Sequence, residues 1–61
     1  MCKIIKYKTN DVIVFYIGKK GYEILVKCFN KRFLIRDSFF GLSKAIELAK
    51  EKQWEIDHEY T

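Results

Sequence analysis

The residues able to do chemistry are few and poorly spaced. Ser38, Ser43, His58, Cys2 and Cys28 are the candidate nucleophiles and bases. A nucleophile works only beside a base that a third group orients, with an oxyanion donor in reach. None of these residues sits in a nucleophile elbow. A tetrahedral zinc site takes about four Cys, His or carboxylate ligands at recognisable spacing, and the chain has no CxxC or HxxxH. Gly18-Lys19-Lys20-Gly21 combines glycine and lysine but lacks the spacing of a phosphate loop. It reads as a hairpin turn. The sequence therefore predicts no catalytic residue, no cofactor, no metal and no enzyme. It points to binding instead.

The elements that would carry a binding surface follow from period and punctuation. Thr9-Asn10-Asp11, Gly18-Lys19-Lys20-Gly21 and Asn30-Lys31 separate four short runs rich in Ile, Val, Phe and Tyr. Asn and Gly accept the positive φ of tight turns, and the runs have strand composition. Short loops make neighbouring strands antiparallel. After Ser38-Phe39-Phe40-Gly41 the period changes. Leu42, Ala45, Ile46 and Ala49 recur at helical spacing, with Lys44, Glu47, Lys50, Glu51 and Lys52 on the other side. This predicts a helix over 42–53 opening at Gly41, with Phe39 and Phe40 as wedges in the connection. The expected fold is α+β: an antiparallel β-meander of three or four strands packed on one C-terminal amphipathic helix, forming a single domain over 1–61.

Residues 54–61 alternate. Trp54, Ile56, His58 and Tyr60 share one parity, with Glu55, Asp57 and Glu59 on the other. Two readings fit: a frayed tail anchored by Trp54, or a short C-terminal strand docked on a sheet edge.

Parity also assigns the faces. Ile24, Val26, Cys28, Phe33 and Ile35 are expected under the helix, and Leu42, Ile46 and Ala49 are expected to meet them. The opposite face then holds Leu25, Phe29 and Leu34, ringed by Lys27, Arg32 and Arg36. An apolar patch with a charged rim has the makeup of a partner-binding surface. The second strand is apolar on both parities, so one of its sides is left for self-association. Val12, Val14 and Tyr16 are the candidates there, with Trp54, Ile56 and Tyr60 of the tail. In a meander Cys2 and Cys28 lie two strands apart, about 9–10 Å, beyond the disulfide limit of about 7 Å, so both are expected as free thiols.

The totals agree with this outline. Sixty-one residues make one domain, of a size that buries only about 60% of the unfolded chain's surface. Without disulfide or metal, a second subunit is the remaining staple, and a homodimer is expected. Net charge is +4, unevenly spread. Residues 1–46 hold ten Lys/Arg against three acids, a net +7, and residues 47–61 hold two Lys against five acids, a net −3. No signal segment and no membrane-spanning run is visible, which gives a cytoplasmic location as the expectation.

The stretch from Tyr22 to Lys50 resembles the AP2-like and integrase arm-type DNA-binding domains. Lys31-Arg32-Phe33-Leu34, then Phe40, then Leu42-Ser43-Lys44-Ala45-Ile46-Glu47-Leu48-Ala49 carry the resemblance. It covers about half of the chain. It implies a three-stranded sheet and helix that read DNA through the sheet, with Lys27, Arg32 and Arg36 on the nucleic acid. The architecture is also similar to small inhibitors of phages and mobile elements, which act by occupying a partner protein. Protein binding of that kind is the leading expectation, and sheet-face DNA binding is the alternative.

Overall fold

The computed structural model describes residues 3–59. Four strands run in the order β1 (Ile4–Lys8), β2 (Val12–Tyr16), β3 (Tyr22–Val26) and β4 (Lys31–Ile35), and one helix follows, α1 (Gly41–Glu59). The strands form one antiparallel sheet in sequential order, a meander with β1 and β4 at the edges. The domain is therefore the α+β sheet-and-helix unit that the turn residues predict.

Register sorts the side chains into two faces. Under the helix lie the rungs Ile4–Tyr16–Tyr22–Ile35, Tyr7–Val14–Ile24–Phe33 and Val12–Val26–Lys31. The opposite, helix-free face carries Ile5–Phe15–Glu23–Leu34 and Lys8–Ile13–Leu25–Arg32. A bulge between Ile5 and Tyr7 keeps β1 in step with both sets.

The core is Val12, Val14, Tyr22, Ile24 and Val26 from the sheet and Ala45 and Ala49 from the helix. The helix lies chiefly across β2 and β3. Its buried stripe is Gly41, Ala45 and Ala49, continued by half-buried Leu48, Lys52 and Ile56. Small residues sit where the sheet presents Val, Ile and Tyr, so the backbone comes close without a void. Gly41 shows how close: a Cβ there would lie 3.1 Å from the Tyr22 ring. This rotation corrects the expected core. Ile46 is only half-buried and Leu42 is 36% exposed, because the alanine stripe rather than the larger aliphatic residues faces the sheet.

Two further expectations change. The third run ends as a strand at Val26, and Lys27–Phe29 form one turn of 3-10 helix closed by Asn30 in the left-handed region (φ 53°). Strand parity does not pass through such a turn. Cys28 is accordingly an exposed free thiol rather than a core residue. The tail, read as either a frayed end or a docked strand, is instead helix through Glu59. Ions and rings three or four residues apart support that continuation: Lys52–Glu55 at 3.5 Å, Gln53–Asp57 at 3.0 Å and the Trp54–His58 stack at 4.0 Å. Cys2 and Tyr60 lie outside the described residues.

Gln53 ties the helix to the β1–β2 turn. Its Oε1 accepts from the Thr9 hydroxyl (2.7 Å) and the Asp11 N–H (2.8 Å). Its Nε2 donates to Asp11 Oδ2 and Asp57 Oδ1, both at 3.0 Å. All four hydrogen-bonding positions of the amide are used. Gly21 fixes the opposite end of the sheet. It has φ 103°, and a Cβ there would meet Ile35 O at 2.1 Å and Asp37 N at 2.6 Å. Only glycine admits that approach, which holds the Gly18–Lys20 turn against the segment leaving β4.

Candidate partner-binding surfaces

Two surfaces stand out, the helix-free sheet face and a basic groove at its Gly21 end. On the sheet face Glu23 lies at the centre, only 9% exposed. Burying a carboxylate is costly without a partner. Two bases supply it: Lys3 Nζ at 3.2 Å from Oε1, and Arg32 Nε more loosely at 4.0 Å. Lys3 Nζ also lies 5.4 Å from the centre of the Phe15 ring. Half-buried Ile13, Phe15 and Leu25 and exposed Ile5 and Leu34 complete the face. Leu34 is 68% exposed.

The groove is an open depression of about 580 Å³ lined by Lys19, Lys20, Leu34, Arg36 and Asp37. Next to it in the chain, Phe39 is 93% and Phe40 63% exposed, the two rings edge-to-face at 4.9 Å. A smaller cleft on the helix side is lined by Val26, Phe29, Lys31, Phe33, Lys52 and Glu55.

The sequence-derived partner residues divide between these places. Leu25, Arg32 and Leu34 are on the helix-free face, and Arg36 is in the groove at its end. Lys27 is exposed in the 3-10 turn. Phe29 is a correction: the turn carries it to the helix-side cleft. The self-association set needs more revision. Val12 and Val14 are fully buried under the helix, and Tyr16 is half-buried on that same side, so β2 offers Ile13 and Phe15 to the open face instead. Trp54 is exposed on the helix and Ile56 is packed against the core, so neither belongs to an edge-seeking strand.

Sequence reasoning missed the Glu23 bridge and the union of Lys19 and Lys20 with Arg36. The alternation Glu23–Leu25 on an otherwise apolar strand was a readable sign of the first. Nothing local marks the second, which depends on the Gly21 contact.

Of the residues first examined for chemistry, His58 is exposed, stacked on Trp54, with Nδ1 2.8 Å from the Trp54 carbonyl oxygen. Among the described residues no group of three or more His, Cys, Asp or Glu is gathered, and no helix is long and apolar enough to cross a membrane. The phenol of Tyr22 is pushed above its ordinary value by burial, then by the Asp37 carboxylate and by Tyr16. Its side chain belongs to the core cluster and lines neither the groove nor the cleft. Searched against family models, curated proteins and solved structures, the chain matches none.

Proposed function

We propose that this chain is a non-catalytic protein-binding module whose helix-free sheet face docks a second copy of itself. The observation that carries the reading is the makeup of that face. Five apolar side chains surround one acid flanked by two bases. Such a surface is self-complementary about a two-fold axis, because Arg32 of each copy finds a second Glu23 across the interface. Arg32 is the looser of the two partners and has a mostly exposed side chain, so it is the one free to exchange. Apolar area supplies the affinity, and the charges set register.

The central carboxylate weighs against phosphate on this face, and Lys3 and Arg32 are already engaged with it. That makes sheet-face DNA reading the less supported alternative. A protein of this design acts by occupancy, which suits an inhibitor, in a soluble compartment such as the cytoplasm.

Light scattering of the wild type and of Leu34→Glu tests the reading. The expected result is a dimer mass for the wild type at micromolar concentration and a monomer for the variant, which keeps the wild-type circular dichroism spectrum and melts lower only by the association it has lost. A wild-type monomer, or a dimer that survives Leu34→Glu, overturns it.

A further inference from the structure

We infer that the groove at the Gly21 end, which adjoins the sheet-face interface at Leu34, is a binding site for single-stranded nucleic acid. Lys19 and Lys20 come from the turn between β2 and β3, and Arg36 comes from the segment leaving β4. The two segments are far apart in sequence and meet because Gly21 lets the backbones touch. The result is three cations against one acid, Asp37, around a Leu34 floor. None of the three cations forms an ion pair with another described residue. Among the described cations only Lys3, Arg32 and Lys52 are bridged, so what sets these three apart is that they line one groove. The groove therefore offers uncommitted positive charge to an anion with several phosphates.

The aromatic pair says which anion. Phe39 and Phe40 follow Arg36 by three and four residues and leave most of their ring surface to solvent. Exposed rings beside a basic track are how proteins hold single strands: the cations follow the backbone and the rings stack on bases. In a duplex the bases are already stacked on each other, so these rings add nothing. The edge-to-face arrangement of the pair leaves a ring face open for a base.

The test is fluorescence anisotropy of the intact chain with labelled oligothymidylate and with duplex DNA of the same length. Three neutralised phosphates at about −0.7 each give a log–log salt slope of about −2, so affinity drops about twentyfold between about 50 and 200 mM salt. Phe39→Ala weakens the single strand by between about fivefold and a hundredfold, and Phe39→Trp restores it. Lys20→Gln or Arg36→Gln flattens the salt slope by about 0.7. All of these side chains are exposed, so melting curves stay those of the wild type. The inference is overturned by no single-strand binding at low salt. Equal affinity for duplex with no effect of Phe39→Ala overturns it too, as does binding to phosphatidylserine vesicles that the oligonucleotide fails to compete.

Discussion

The two faces of the sheet are built from the same strands yet solve different problems. On the helix side Val12, Val14, Ile24 and Val26 are sealed by Ala45 and Ala49, and cations reach over the margins, Lys50 towards Tyr7 and Lys52 towards Phe33. On the other side Ile13, Phe15 and Leu25 are only half-buried and Glu23 takes a central place that apolar packing alone would exclude. The difference teaches that apolar content alone does not single out the proposed interface, since both faces carry large apolar side chains. What marks it is a buried charge that the fold keeps although it adds nothing to the core.

The largest effect expected is at Gly21. Gly21→Ala brings backbone strain of about 1–3 kcal/mol from the positive φ and a similar overpacking cost against Ile35 O. For a domain with about 5 kcal/mol in total, the loss removes about half of the stability or more, and circular dichroism should show a melt far below that of the wild type; a wild-type melt would mean that Gly21 does not hold this end of the sheet.

Next comes a matched pair across the faces. Ile24→Ala should cost about 2–5 kcal/mol, whereas Leu34→Ala, at protein concentrations low enough for both variants to be monomeric, should stay within about 0.5 kcal/mol. Urea titration of the two variants decides; comparable losses would erase the distinction between core and surface.

Smaller again, Gln53→Ala should cost about 1–3 kcal/mol, because it leaves the Asp11 N–H without its acceptor and the Thr9 hydroxyl with Val12 O alone. Amide exchange in the Thr9–Asp11 turn should quicken more than in β3. Uniform exchange would mean that the clamp is not what holds the helix end down.

The smallest effect is in alkali. The folded-state pKa of Tyr22 lies above the unfolded value of 10.0. Such a phenol adds stability that is fully present below the unfolded value and is lost as pH rises through the folded one. Stability should hold to about pH 10 and then decline. Tyr22→Phe should flatten that decline, as read by denaturant midpoints at neutral and alkaline pH; an unchanged decline would place its cause elsewhere.

The meander was legible because its turns carry Asn and Gly, which accept a positive φ; Asn30, Gly18 and Gly21 have it, whereas Asn10 in the first turn does not. The face of β2 was not, since Val12-Ile13-Val14-Phe15-Tyr16 has no polar residue to break the symmetry. Only pairing of Val14 with Ile24 settles which side goes inward. The tail misled for a related reason. Trp54, Ile56 and His58 alternate with acids, but the pairs four apart that make a helix, Gln53–Asp57 and Trp54–His58, are present in the same letters. Packing of Ile56 on the core favours the helix. Of the candidate surface, Leu25, Arg32 and Leu34 follow from strand parity, while the groove depends on a long-range contact that no local pattern encodes.

The most direct test of the sheet-face claim is methyl NMR of the wild-type chain during dilution through the micromolar range. Methyl resonances of Ile5, Ile13, Leu25 and Leu34 should shift with concentration while those of Val12, Val14, Ile24 and Val26 stay fixed. Shifts confined to the second set, or none in either, would contradict it.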